Sequence, residues 1–165
     1  MTEIELLLVQ LDQAYDTRSW HGTNLRGSIR GMAPDEAVWR PARGRHNIQE
    51  IVVHAAYWKY IVRRRFTGEG RGSFPLAGSN WFERARPDAS QWRADVRLLG
   101  EMHTRLREAV AALDPRQLER TPAGSQVNNR AMLAGIIAHD LYHAGQIQLL
   151  KRLCAVGPGP RPNVR

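Results

Sequence analysis

The chain has 165 residues, a length that predicts one domain with a core of its own. Hydrophobic residues make up 42% of it and charged residues 24%, an ordinary globular composition that argues against a disordered chain. The longest uncharged apolar run falls far short of the roughly 20 residues that a membrane span needs, so no membrane association is expected. Because the first residues are acidic and Cys154 is the single cysteine, we expect no secretory signal, no intramolecular disulfide and a cytoplasmic location.

The net charge of +8 raises the question of a nucleic-acid partner. Only Lys59 and Lys151 are lysines, so 22 of the 24 basic residues are arginines, spread along the chain with one tight run at Arg63, Arg64 and Arg65. A general preference for arginine over lysine produces such a distribution without any polyanionic partner. The run is therefore the candidate site of an alternative function, a basic nucleic-acid-binding module of the stress response. A nucleic acid is less favoured as a partner than a small-molecule substrate.

Helical periodicity predicts four long helices, and no stretch alternates between apolar and polar residues as a sheet strand would. The first helix is predicted over about residues 2–30, with a bend near Gly22. A loop follows over residues 31–45. The second helix begins with a capping-box pattern, Asn47 followed three residues later by Glu50, and continues to about residue 67.

The next segment, residues 68–87, has four glycines, two prolines and no periodicity, and it is long for a simple connection. The third and fourth helices are predicted over about residues 88–113 and 128–154. These elements predict an all-α fold, a four-helix bundle with a long crossover connection between helices two and three. Residues 1–155 are expected to form this single domain, and residues 156–165 a flexible C-terminal tail.

Two histidines on the fourth helix are the clearest chemical signal in the sequence. His139 and His143 are four residues apart, hence one turn apart on the same face, where both rings can reach one ion. His54 lies on the inward stripe of helix two, so three imidazoles could converge on a divalent cation that keeps one position open. The alternative is that they are ordinary core histidines. Trp81 and Phe82, in the long connection, are candidates to cover the pocket mouth or to anchor the connection on the bundle.

Four further polar residues are candidates for roles around such a site. His21 and His103 could serve as groups behind the ligands, as a fourth ligand or as a proton acceptor, but core histidines bonded to a carbonyl or carboxylate are the favoured alternative. Asp140 and Gln146 could orient the ligating imidazoles, although a solvated Asp140 is an equal possibility. Asp140 stands where zinc proteases of the His-Glu-x-x-His type carry glutamate, and its shorter side chain weakens that comparison.

His54 within residues 48–58, followed 85 residues later by the run from His139 to Ile147, resembles the DinB/YfiT-like superfamily of metalloenzymes. The resemblance covers about residues 11–150. It implies a four-helix bundle with a long crossover. It also implies a histidine triad that holds divalent nickel or zinc, and this triad maps onto His54, His139 and His143.

The resemblance also implies a class of reaction. Superfamily members with assigned activities include transferases and isomerases that use a low-molecular-weight thiol, and water in the place of the thiol would give hydrolysis. We therefore expect a divalent-metal-dependent transferase or hydrolase that acts on a small electrophile. Two alternatives stay open at this point: the basic nucleic-acid-binding module, and a non-catalytic dimer that holds metal for stability. Dimers are common in the superfamily, which leaves a homodimer open.

Overall fold

The computed structural model describes residues 1–156, so the predicted tail lies, apart from its first residue, outside the described residues. All regular structure in this part of the chain is helical, which confirms the all-α fold class. None of the helices in residues 1–156 combines the length and apolar composition that crossing a membrane requires. Six α-helices and one 3-10 turn follow in order: α1 Glu3–Tyr15, α2 Leu25–Ser28, α3 Pro34–Val38, α4 Ile48–Thr67, α5 Ala89–Ala111, the turn Pro115–Glu119, and α6 Asn129–Val156.

The predicted first helix is wrong in its extent, because α1 ends at Tyr15 and the chain becomes helical again only in the short α2. Gly22 takes a left-handed conformation, with φ at 103°, which a continuing α-helix does not allow. Asn24 then caps α2, since its side-chain oxygen accepts a hydrogen bond from the Gly27 amide at 2.9 Å. The apolar spacing continues across this break, which is why the sequence pattern suggested one long helix.

The start of α4 matches the sequence pattern. The Asn47 side chain accepts a hydrogen bond from the backbone amide of Glu50 at 2.8 Å, and the Glu50 carboxylate accepts one from the Asn47 amide. Gly68, with φ at 73°, ends the helix in the left-handed conformation that glycine adopts without strain. Helices α5 and α6 also lie within a few residues of their predicted positions.

The four long helices pack around a shared core, with α4 and α1 each contacting both α5 and α6. The Gln49 side chain donates to Asp95 at 2.8 Å, and Lys59 Nζ lies 3.5 Å from His103 Nδ1. From the first contact to the second, the residue numbers increase along both α4 and α5. The two helices therefore run parallel. The connection between them, residues 68–88, therefore returns the chain along the length of α4.

The N-terminal end of α4 is held by a buried carboxylate. Glu50 accepts hydrogen bonds from the Arg40 guanidinium at 2.9 Å, from the Arg84 backbone amide at 3.1 Å and from His46 Nδ1 at 3.0 Å. Burial raises the pKa of this carboxyl, but the hydrogen bonds from Arg40, Arg84 and His46 outweigh burial and lower it to about 2. Charged Glu50 thus stabilises the end of the helix that carries His54.

This carboxylate predicts an acid-dependent contribution to stability. Because the pKa falls from 4.5 to about 2 on folding, the stabilisation is fully present above pH 4.5 and is lost as the pH falls toward 2. The difference corresponds to roughly 3 kcal/mol at most. We expect Glu50→Gln to lower the free energy of unfolding in urea at pH 7, and the loss to shrink at pH 3. Glu101→Gln, an exposed control, should change neither value. An equal loss for Glu50→Gln at both pH values would contradict this assignment.

Candidate metal centre

The structure brings the three candidate imidazoles together across the interface between α4 and α6. His139 Nε2 lies 3.1 Å from His54 Nε2 and 3.0 Å from His143 Nε2. His54 and His143 are buried and His139 is half-buried, and each offers one ligand atom within 4.8 Å of the others. The His139–His143 pair meets as expected for residues one turn apart, and α4 supplies His54 from the opposite side.

Hydrogen bonds to the outer nitrogens determine which nitrogen faces the centre of the cluster. His54 Nδ1 lies 2.9 Å from the Asn80 carbonyl, which can only accept, so Nδ1 carries the proton. His143 Nδ1 lies 2.7 Å from Gln146 Oε1, and the amide nitrogen of Gln146 donates to the Tyr142 hydroxyl at 2.8 Å. In this orientation of the amide, its oxygen faces the ring and accepts from Nδ1–H. Both histidines therefore direct an unprotonated Nε2 inward.

Burial keeps these imidazoles neutral. It lowers the pKa of His54 below its ordinary 6.5, and it lowers the pKa of His143 to about 4 despite the hydrogen bond that the ring donates to Gln146. Burial, together with the neighbouring histidines and Lys59, lowers the pKa of His139 to about 3. At neutral pH the cluster therefore offers neutral imidazole, the form that binds metal.

The spacing of the three Nε2 atoms fits a shared cation. If His139 carried its proton on Nδ1, three lone pairs would face one another at about 3 Å. If it carried the proton on Nε2, its buried Nδ1 would be an unpaired acceptor, since no group in residues 1–156 bonds to that atom. A cation between the rings would accept the three Nε2 lone pairs at once. Nitrogen ligands at 2.0–2.1 Å from one ion lie about 2.8–3.4 Å apart for angles between a right angle and the tetrahedral angle, and the two Nε2 separations from His139 fall in this range.

The cluster forms part of the wall of a cavity of about 610 Å³ that opens to solvent. Trp81 reaches it from the long connection and stacks on His54, with ring centroids 3.9 Å apart, and on His46 at 3.5 Å. Ile51, Leu149 and Leu150 supply apolar walls. Phe82 does not line this cavity and is buried instead, so of the two aromatic candidates only Trp81 lies at the pocket.

The sequence analysis missed Asn80, which positions two aromatic side chains at the site. Its carbonyl fixes the His54 tautomer, and its side-chain oxygen accepts from Trp58 Nε1 at 2.9 Å. Asn80 adopts a left-handed backbone conformation, with φ at 63°, which asparagine tolerates better than most residues. The available signal was an asparagine beside a tryptophan in a glycine-rich connection, but nothing local connects that pattern to a histidine 26 residues earlier.

Asp140 has a different role from either one expected. It is neither solvated nor bonded to a ligand imidazole, because it is fully buried and forms an ion pair with the fully buried Lys59. This pair joins α6 to α4 close to the cluster, since Asp140 follows His139 directly. Facing away from the cavity, Asp140 is not placed to act as a base there, so the resemblance to the zinc proteases fails.

Of the remaining candidates, Gln146 contacts the histidine cluster, whereas His103 and His21 lie away from the cavity. Gln146 contacts His143 as proposed for a residue that orients a ligand. His103 belongs to the core, where it stacks on Tyr15 with ring centroids 3.8 Å apart and lies beside Lys59. Burial, with Lys59 and Arg107 nearby, lowers its pKa to about 3. His21 is exposed, and its Nδ1 lies 3.3 Å from the Ser19 hydroxyl. Neither His103 nor His21 lines the cavity.

The arginine run does not form the free basic patch that the nucleic-acid alternative requires. Arg63 forms an ion pair with Glu69, and Arg64 donates to the backbone carbonyl of the same residue at 3.2 Å. Arg65 donates to the Gly124 carbonyl at 3.4 Å. The run thus ties the end of α4 to two neighbouring loops, which argues against the alternative of a nucleic-acid site here.

Fold and site together define a class of protein: an all-helical domain with a three-histidine group at a solvent-accessible cavity, suited to a metal ion. The family model of the DinB superfamily matches residues 17–147, which is most of the chain. The chain therefore belongs to the DinB superfamily, as the sequence motifs indicated. No curated protein and no solved structure matches it.

The hydrogen bond that His143 donates to Gln146 predicts a measurable effect on metal affinity. Gln146→Leu removes the acceptor that keeps the proton of His143 on Nδ1, so we expect zinc affinity to fall about 10- to 100-fold. A competition titration with a chromophoric chelator measures this. Gln148→Leu is the matched control, because Gln148 lies on the same helix, is half-buried and makes no hydrogen bond within the described residues. Equal zinc affinities for the two variants would contradict the role assigned to Gln146.

Proposed function

We propose that this protein is a divalent-metal-dependent transferase in which a low-molecular-weight thiol attacks a small electrophile. His54, His139 and His143 would hold the ion, zinc or nickel. The observation that carries the proposal is the convergence of their Nε2 atoms on the wall of a cavity open to solvent. A structural site closes all ligand positions with protein groups, whereas three imidazoles beside a cavity leave room for a small molecule.

A bound ion would supply Lewis acidity, which lowers the pKa of a coordinated thiol or water. The chain's own residues prepare the site for this chemistry. Asn80 and Gln146 keep the outer imidazole nitrogens protonated and the inner ones free. Trp81 covers one face of His54, and Ile51, Leu149 and Leu150 add apolar wall to the cavity. The volume of about 610 Å³ suits a small molecule.

The lining of the cavity favours a thiol over water as the nucleophile. Among the described residues that line it there is no aspartate, glutamate, serine, threonine or cysteine. The chain therefore offers neither a carboxylate base for water nor a nucleophile of its own. A thiol ionises near pH 8.5 even without help, far below the value of 15.7 for bulk water, so it depends much less on such a base. A metal-dependent hydrolase, with water as the nucleophile, is the second candidate function.

Cobalt substitution distinguishes the thiol transferase from the hydrolase. Adding cysteine or glutathione to the cobalt-loaded protein should produce a near-ultraviolet thiolate-to-cobalt charge-transfer band, because the thiol loses its proton on binding. The same protein should accelerate alkylation of the thiol by a small electrophile. His54→Ala should lose both properties. His21→Ala, which removes an exposed histidine outside the cavity, should keep both.

Three results would contradict the thiol transferase. Metal-dependent hydrolysis of an activated ester, with no charge-transfer band, would replace it by a hydrolase. A stoichiometrically loaded protein that shows neither activity, unfolds on chelation and forms dimers in light scattering would identify a non-catalytic, metal-stabilised dimer. Retention of the band by His54→Ala would place the thiol elsewhere.

A further inference from the structure

A second concavity, of about 1110 Å³, lies between α5 and the segment that includes α2, away from the histidine cluster. Its two walls are strongly basic. α2 and the residues after it contribute Arg26 and Arg30, and α5 contributes Arg93, Arg97 and Arg105. Glu101 and Glu108 also line it, so five cations and two anions leave a net charge of +3. We refer to this concavity as the arginine groove.

Most of these arginines lack a protein partner. Arg30, Arg93, Arg97 and Arg105 are exposed, and they make no side-chain hydrogen bond or ion pair within residues 1–156. Outside the groove, six arginines bind carboxylates, namely Arg40, Arg63, Arg84, Arg107, Arg116 and Arg130. Even Glu101, four residues from both Arg97 and Arg105 on α5, forms no ion pair with either. Positive charge in the groove is therefore concentrated and poorly neutralised, which attracts an anion.

The buried Tyr15 hydroxyl lies beneath the floor of the groove. Gly100 lines the groove, and a Cβ at this position would lie 3.5 Å from the Tyr15 hydroxyl and 3.7 Å from Arg26 Nη1. Tyr15 is only 4% exposed, and Arg26 lies beside its hydroxyl. Burial raises the pKa of Tyr15, so the phenol stays neutral and adds no negative charge beneath the groove. Because position 100 is glycine, it places no side chain on the floor of the groove above this pair.

One end of the groove is apolar. Met32, Trp92 and Val96 line it, together with Ile29. The indole nitrogen of Trp92 already donates to the Met32 carbonyl at 3.1 Å, so the tryptophan offers the groove apolar surface only. A ligand that fits has an anionic part among the arginines and an apolar or aromatic part at this end.

We propose that the arginine groove binds a small phosphorylated ligand of nucleotide size. The guanidinium fork matches phosphoryl oxygens in geometry and charge. From Arg93 to Arg105 the groove extends about 18 Å along α5, which accommodates a few phosphoryl groups but not a long polymer. This site is independent of the proposed metal chemistry.

Isothermal titration of the metal-loaded protein with ATP and with inorganic triphosphate, both free of magnesium, tests the proposal. We expect both to bind. Arg97→Gln/Arg105→Gln should weaken both about tenfold or more, because charged hydrogen bonds to phosphate are lost. Arg18→Gln/Arg86→Gln removes the same charge from exposed positions outside the groove and should bind as the wild type does.

A second pair of variants tests whether binding depends on the position of an added charge rather than on the total charge of the protein. Gly100→Glu places a carboxylate at the floor of the groove and should abolish binding, whereas Gly135→Glu, at an exposed and open position on α6, should not. Far-ultraviolet circular dichroism and thermal melting establish that all variants are folded. ATP should bind more tightly than triphosphate, because only ATP carries an aromatic group for the Trp92 end.

Several results would overturn the proposal. No binding of either ligand would do so. If the two double-arginine variants weaken binding equally, the affinity for phosphate comes from the general positive charge of the protein and not from the groove. If Arg97→Gln/Arg105→Gln binds as tightly as the wild type, the phosphate binds at the metal or elsewhere. Binding of a single-stranded 20-mer without binding of ATP or triphosphate would identify a nucleic acid as the partner instead.

Discussion

The close approach of three neutral imidazoles across the interface of α4 and α6 is the constraint on which the rest of the site depends. With the His139 proton on Nδ1, three nitrogen lone pairs directed at one point repel one another, and burial disfavours relief of this repulsion by protonation. A divalent cation would remove the conflict, and the cavity beside the rings would give such a cation access to a small molecule. Fold, cavity and chemistry are therefore linked at one position in the bundle.

Several buried polar contacts keep the rings in this arrangement. Glu50 stabilises the beginning of α4, and the buried Lys59–Asp140 pair ties α4 to α6 next to the cluster. A buried ion pair contributes little net stability, but its unpaired partners are costly, so it disfavours any shift of one helix against the other. The connection after α4 adds Asn80 and Trp81, which fix the tautomer and the exposed face of His54. The long segment between α4 and α5 thus has a chemical role at the site.

Local patterns in the sequence predicted the helices and the triad well. The capping box at Asn47 and the four-residue spacing of His139 and His143 are short-range features, and backbone geometry alone determines what they do. The break after Tyr15 was missed because the apolar spacing continues across it, while the conformation of Gly22 and the cap at Asn24 interrupt the helix.

The sequence alone did not predict the contacts between residues that are distant along the chain. The partner of Asp140 lies 81 residues away, and the carbonyl that binds His54 belongs to a connection without periodicity. The arginine groove was hidden for a related reason. Its arginines come from two segments that are distant along the chain. The compact run Arg63–Arg65 was therefore the better candidate in the sequence, although its side chains bind neighbouring loops in the structure. The contacts that each guanidinium makes in the fold, rather than clustering along the chain, decide which arginines are free to bind a ligand.

Metal content after zinc loading and desalting tests the central claim most directly. The wild-type protein and His21→Ala are expected to retain one zinc ion per chain, because the exposed histidine takes no part in the cluster. His54→Ala, His139→Ala and His143→Ala are each expected to lose the ion while remaining folded. Retention of one zinc ion per chain by all three of these variants would show that the imidazoles meet for a reason other than a shared cation.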